Sequence, residues 1–236
     1  PRQGVELRRL AGQEDLIAGD QPIQIAFTEA ALRFAKLRMD ASGSGGHVHQ
    51  SLCRDGRNVF GDGAGGLSDV GRSYVGGLVE TMGDFTALFN PNLNSFKRLQ
   101  SSWFVAERAT WGVDNRNVAC RVIGNAGDAA ARVEHRRPGA DANPYVAMAM
   151  TLACGYLGMK NKIKPKPEMK GDAYLAPYSL PRSLGEALDW LRRETDLHDI
   201  LGKEFVTIYS EIKELEFDEF MKVISPWERE HLLLHV

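Results

Sequence analysis

Cysteine is scarce in this chain, with three among 236 residues. Cys53, Cys120 and Cys154 form an odd set with no C-x-x-C pair, which excludes a disulfide framework and a zinc ribbon and favours a reducing, cytoplasmic setting. Long apolar runs are missing as well: nothing approaches the ~18 residues of a membrane span, and the opening PRQGVELRRL lacks the apolar centre of a signal peptide. Charge of one sign is not in excess. A net charge of −2 and a pI near 6.4 give no general attraction to nucleic acid or anionic membranes, so neither is expected as a partner. No G-x-x-x-x-G-K-[ST] loop and no kinase signature occurs, so any phosphate chemistry would rely on side chains and cations. What is present is ordinary globular composition, 43% hydrophobic and 25% charged, at a length that supports a core without staples.

Helical periodicity is clearest over residues 23–37, 70–89, 144–159, 183–194, 197–215 and 226–234. Two helix starts can be read directly. Asn143 before Pro144 offers an N-cap with proline at the first helical position, and Ser183-x-x-Glu186 has the form of a capping box. Short β-rich runs stand at 48–52, 119–123 and 131–134. Strands early and helices late predict an α+β domain whose sheet carries the chemistry and whose helical C-terminal third covers it. The glycine-rich stretch 61–66 predicts a surface loop, and lysine-rich 160–170, with Pro165 and Pro167, a solvated connector. No internal repeat is present.

Two constellations can carry chemistry. A strand entered from Gly43-Ser44-Gly45-Gly46 would put His47, His49 and Ser51 on one face, because side chains alternate with period 2. Imidazoles suit a metal or phosphate oxygens, although His-x-His is also common on plain surface strands. In Arg132-Val133-Glu134-His135-Arg136 the same alternation sets a carboxylate between two guanidiniums, as either a salt-bridge ladder or an anion site. Arg98, Arg116 and Arg121 lie upstream, and residues 97–137 carry eight Lys/Arg against four Asp/Glu, a local +4 in a chain of net −2. Together these describe a place for divalent cations, a polyphosphate and a carboxylate substrate, with hard Mg²⁺ or Mn²⁺ held chiefly by Glu.

These residues also resemble a known family. Gly43 to Leu52 resembles the GSGMHVHQSL element of glutamine synthetases, and Asn90-Pro-Asn-Leu-Asn-Ser-Phe-Lys-Arg98-Leu resembles their NPTVNSYKRL. Asn115-Arg116 to Arg121 resembles NRSASIR, and Arg132 to Tyr145 resembles RIEVRFPDPAANPYL. The four motifs occur in order over most of 40–160, and the wording PGADANPY and SPWEREHLL is nearest to the branch with gamma-glutamyl-putrescine synthetase and related gamma-glutamyl-amine ligases.

The resemblance implies a curved antiparallel sheet, a half-barrel, carrying the active site under a cover of helices. It implies an ATP-dependent ligase of nitrogen metabolism that phosphorylates the glutamate side chain and lets ammonia or an organic amine, such as a polyamine, displace the phosphate. Two or more Mg²⁺ or Mn²⁺ ions and a ring-type homo-oligomer, a dodecamer, come with it. By motif position His47 and Glu134 would bind the metal nearer ATP, and Glu6 the metal nearer glutamate. Arg98 and Arg136 would hold glutamate, with Gly43 near its amino end; Arg116, Arg121 and Arg132 would neutralise phosphate; His49 and Ser51 would line the nucleotide side. Arg98 and Arg116 carry the catalytic assignment.

The sequence also departs from the family. The small N-terminal β-domain and its acidic strand have no counterpart, so 1–236 is expected to be the catalytic part of a roughly twofold larger subunit. The Glu6 to Gly43 spacing is short, with residues expected to be missing between about 33 and 42. Gln3-Gly-Val-Glu6 replaces the usual Gly-Gln-x-Glu. Phe104 stands where glutamine synthetases proper place a flap Glu that helps bind ammonium, with Glu107 three positions on. An aromatic there suits an alkyl amine better than NH₄⁺, or else Trp103 and Phe104 merely pack the flap. Glutamine synthetase proper and a non-catalytic assembly protein are the competing readings. Tyr178, in Tyr-Ser-Leu-Pro181, loosely resembles a segment adenylylated in some bacterial members, or is a packing residue.

Overall fold

Alternation and pairing build one sheet, and two glycine-rich helices pack on its back. The computed structural model describes residues 25–27, 43–100, 105, 107–124, 128–193 and 198–233. Seven strands and seven α-helices are found among them: β1 Ile25–Phe27, β2 Val48–Gln50, β3 Cys53–Arg54, β4 Arg57–Asn58, α1 Asp69–Thr81, α2 Thr86–Phe89, α3 Leu93–Leu99, β5 Trp111–Val113, β6 Cys120–Ile123, β7 Arg132–His135, α4 Pro144–Lys160, α5 Leu184–Arg193, α6 Lys203–Met221 and α7 Pro226–Leu232. The main sheet runs β1-β2-β7-β6-β5, and β3-β4 form a separate hairpin.

The sheet is mixed rather than antiparallel. β6 and β5 run parallel, with Trp111 opposite Cys120 and Val113 opposite Val122, while the other pairs are antiparallel. Parallel neighbours ordinarily need a long crossover. Here β5 is three residues, about 10 Å of strand, so the link 114–119 spans the return. No closed barrel forms among the described residues. The expected helix over 23–37 is corrected at its start, where residues 25–27 are a strand paired with β2. A short apolar run fits either element, and an available partner strand decides between them; the rest of that stretch lies outside the described residues. The expected strand 48–52 ends at Gln50, so Ser51 falls beyond it.

The helix caps follow the sequence. Asn143 Oδ1 accepts from the backbone of Tyr145 and Val146 ahead of Pro144. Ser183 Oγ accepts from Glu186 N, but the Glu186 carboxylate turns to Arg182 N, so this start is half of a capping box. The glycine loop closes on itself, Asp62 Oδ1 accepting from Ala64 N and Gly66 N at 2.8 Å each. Residues 161–162 turn at the end of α4 and 163–170 run on without helix or strand and without a buried residue, tied to β5 where Trp111 Nε1 donates to Lys166 O and Met169 N to Trp111 O.

The core lies between the sheet and the pair α1 and α4, and includes Val122, Val133, Tyr74, Leu78, Met150 and Cys154. α4 is apolar on all sides and α1 meets it closely, because a Cβ on Gly158 would lie 2.6 Å from Gly77 N. All three cysteines are free; burial pushes the Cys120 and Cys154 thiols up. No helix among the described residues is long and apolar enough to cross a membrane.

Candidate active site

Glu134 is the centre of the site, because β7 pairs it with a functional residue on each side. Across β2 it faces His49, and across β6 it faces Arg121. His47 Nδ1 lies 2.9 Å from Glu134 Oε1 and Arg136 donates to the same oxygen at 2.8 Å. Arg121 donates to Oε2 at 3.2 Å, and its other terminal nitrogen lies 3.1 Å from Asp114 Oδ1. His49 Nε2 stands 3.8 Å from Oε1, in the field of the carboxylate without a hydrogen bond. The structure thus brings together His47, His49, Arg121, Glu134 and Arg136, five of the residues expected from the sequence.

Glycine makes this geometry possible. Gly46 N donates to Pro138 O at 2.9 Å and Ala140 N to Ser44 O at 3.2 Å, laying the glycine turn along the chain that leaves β7. A Cβ on Gly46 would lie 2.8 Å from Gly139 O, so only glycine allows the approach that delivers His47 to Glu134.

The charges are set by their surroundings. Burial alone would raise the Glu134 carboxyl, but the hydrogen bond from His47 and the charge of Arg136 outweigh it and hold the group at about 2. Glu134 is therefore an anion at neutral pH. Burial lowers the His49 imidazole, against the pull of Glu134 and with help from Arg132, which keeps it neutral and able to ligate. His47 turns Nδ1 to Glu134, which leaves Nε2 as its second nitrogen for a ligand. An ionised carboxylate beside an imidazole is donor chemistry that suits a divalent cation. No group of three or more His, Cys, Asp or Glu that could hold a metal ion is found among the described residues, so further ligands would have to come from elsewhere. Nε of Arg121 and of Arg136 is buried without a partner among the described residues.

The other expected residues that are described make no hydrogen bond or ion pair with Glu134 among the described residues. Arg98 is buried on α3 and donates to the carbonyls of Arg137 and Pro138; burial draws its guanidinium down to about 10 against the pull of Asp141, leaving it charged at neutral pH. Arg132 donates to Ala130 O at 3.0 Å. Arg116 is exposed in the turn after β5, Ser51 is half-buried just past β2, and Gly43 is half-buried at the head of the glycine turn. Glu6, Trp103 and Phe104 lie outside the described residues.

Sequence reasoning missed Asp114, whose positive φ of 48° in the β5–β6 link turns its carboxylate to Arg121. The signal available was the polar pair Asp114-Asn115 directly after a strand. It also missed what Glu107 does. Glu107 is buried, accepts from Tyr178 OH and Arg108 at 2.8 Å each, and ties 107–108 to the loop that carries Tyr178. Arg108 lies 3.4 Å over the Tyr178 ring and Arg182 4.7 Å from it, while the side chain as a whole is about half exposed.

A family model for the catalytic domain of glutamine synthetase matches residues 27–232. The chain is 38% identical over 201 residues to a glutamate–isopropylamine ligase of Pseudomonas sp., covering 82% of this chain and 44% of that protein. It is 34% identical over 200 residues to gamma-glutamylethanolamide synthetase GlnA4 of Streptomyces coelicolor, covering 84% and 43%. To a glutamine synthetase of Methanosarcina mazei it is 36% identical over 198 residues, covering 79% and 44%. The chain therefore spans less than half the length of these relatives.

Proposed function

The chain belongs to the glutamine synthetase family through its catalytic domain, and from that premise we propose that the full protein is an ATP-dependent ligase joining glutamate to an organic amine through gamma-glutamyl phosphate. The observation that carries this reading is Glu134, kept ionised at the meeting point of His47, His49, Arg121 and Arg136. The relatives named for isopropylamine and ethanolamide chemistry support an organic amine as acceptor.

The side chains fit the two steps required. In the first, a gamma-carboxylate oxygen of glutamate bonds to the terminal phosphorus of ATP and ADP departs. In the second, the amine nitrogen attacks the acyl carbon, loses a proton, and phosphate leaves. Arg136 and Arg98 would hold the glutamate carboxylates, with Gly43 near its amino group. Arg116, Arg121 and Arg132 would neutralise phosphoryl oxygens, which is the main demand of such a transfer. His49 and Ser51 would line the nucleotide side. His47, Glu134 and Glu6 would hold Mg²⁺ or Mn²⁺, which when bound supplies charge neutralisation and alignment of the phosphates. The 236 residues serve as the catalytic part of a larger subunit in a cytoplasmic, ring-type homo-oligomer, a dodecamer by family resemblance, with the sheet curved as a half-barrel beneath the helical C-terminal third.

Phe104 favours organic amines over ammonia, since an aromatic ring offers no charge where glutamine synthetases proper place a Glu. Glutamate-dependent ADP formation by the full-length protein, measured with isopropylamine, ethanolamine, putrescine and ammonia, tests the reading. At least one organic amine is expected to exceed ammonia in kcat/KM. A strong preference for ammonia would make the protein a glutamine synthetase proper, and absence of Mn²⁺-dependent ADP binding would make it a non-catalytic relative.

A further inference from the structure

Directly behind the site lies a polar layer that the proposed chemistry does not use. Because side chains alternate, β2 and β7 turn Val48, Gln50, Val133 and His135 away from His49 and Glu134, and all four are buried. Two of the four are polar, and each reaches a different helix. Gln50 Oε1 accepts from the Tyr74 hydroxyl of α1. His135 Nδ1 lies 3.1 Å from Thr151 Oγ1 of α4. The Thr151 hydroxyl gives its own proton to Ala147 O at 2.7 Å, so toward His135 it accepts, and the imidazole is the Nδ1–H tautomer. Phe89 meets the same ring edge-on at 4.6 Å and fixes its plane.

These bonds bear on the site because strand register is fragile here. A slip of one residue turns every side chain to the opposite face, and strands of three and four residues have few ladder bonds to resist it. A Gln or His buried in an apolar layer is tolerated only in the register that satisfies it. Among the described residues Gln50 Nε2 and His135 Nε2 have no partner, so none of these residues offers either side chain a second bond there if the first is cut. The helices that supply the bonds cross at glycine, with Gly155 leaving the space that the Tyr74 ring fills.

We propose that Gln50 with Tyr74 and His135 with Thr151 are positioning residues, which set the register and height of β2 against β7 and so place His47 and Glu134 to hold a divalent cation, with His49 beside them. The link to the cation rests on the ligase reading above; the register claim does not.

The test uses the full-length protein. Thr151→Val is close in shape but removes the acceptor of His135, Thr151→Ser keeps it, and Tyr74→Phe removes the donor to Gln50. Two quantities are read: hydrogen exchange of peptides over β2 and β7 in metal-free protein, and the Mg²⁺ concentration at half-maximal ADP formation. Thr151→Val and Tyr74→Phe are expected to speed exchange and to raise the Mg²⁺ requirement about tenfold, with Thr151→Ser within about twofold of the parent. Parental exchange and Mg²⁺ requirement in both variants, whatever happens to the thermal midpoint, would overturn the proposal and leave the layer merely stabilising. If Thr151→Val fails to fold, Tyr74→Phe decides by the same thresholds. A parent without glutamate-dependent ADP formation would instead sink the ligase reading, while exchange would still decide the register claim.

Discussion

Replacing Gly158 with alanine sets two effects of opposite sign against each other. Gly158 is inside α4, where Gly to Ala ordinarily gains about 1 kcal/mol by reducing the freedom of the unfolded chain. At this position the new methyl would lie 2.6 Å from Gly77 N and 2.7 Å from Gly77 Cα, and closer still to Ser73 O, where ordinary contact begins near 3.4 Å. Every one of these atoms is α1 backbone, so no side chain can swing aside. α1 would have to retreat by more than an ångström, yet it is fixed by Tyr74 on Gln50 and by Leu78 in the core. Overpacking of this kind costs about 3 kcal/mol, at the upper end of its usual range. The net is a loss of about 2 kcal/mol, or roughly 4–8 °C in thermal midpoint for a domain of this size. Thermal and urea unfolding of Gly158→Ala beside the parent would measure it. An unchanged or raised midpoint would show that propensity wins and that the helix crossing is looser than its glycines require.

Three further outcomes follow from the site. Glu134→Gln removes the anion that Arg121 and Arg136 face, and turnover in the ADP assay should fall at least about 100-fold. Burial holds His135 at about 3 against an ordinary 6.5, with Arg137 and His47 adding to the effect. Between those values the unfolded chain binds a proton that the folded chain does not, so this stability is whole above pH 6.5 and is lost as pH falls toward 3, by about 1.4 kcal/mol per unit. Urea midpoints at several pH values should show that slope in the parent, with His135→Leu one proton shallower; equal slopes would refute the assignment. Asp114→Gly keeps the positive φ and removes the carboxylate that faces Arg121, which retains Glu134. KM for ATP should then rise about threefold, the scale of a half-exposed ion pair, with kcat nearly unchanged.

The parts of the site readable in the sequence are those governed by a period of two. His47 and His49, and Arg132, Glu134 and Arg136, announce a shared face by alternation alone, and β2 and β7 then bring the two faces together. Which strands pair, and in which direction, is set by contacts between distant segments. Hence the parallel pairing of β5 with β6 and the strand at 25–27 escaped a local reading. Arg98 shows the same limit: its charge was visible in the sequence, while its burial against the Arg137 and Pro138 carbonyls depends on where α3 docks. Asp114, Glu107 and the layer behind the sheet were hidden because isolated polar residues in apolar surroundings look like any loop or surface residue until a partner is known.

The contact between the glycine turn and the 138–140 segment also has an evolutionary consequence. Gly45 bridges Gly139, Gly46 N binds Pro138 O, and Gly46 has no room for a side chain against Gly139 O. Two segments about ninety positions apart in the chain are thus inherited as one unit. A substitution at 46 survives only in a lineage whose 138–140 backbone has already shifted, and such a shift carries Arg136 and the His47–Glu134 contact with it. Sequence change is therefore channelled away from this seam and into surfaces that can change one residue at a time.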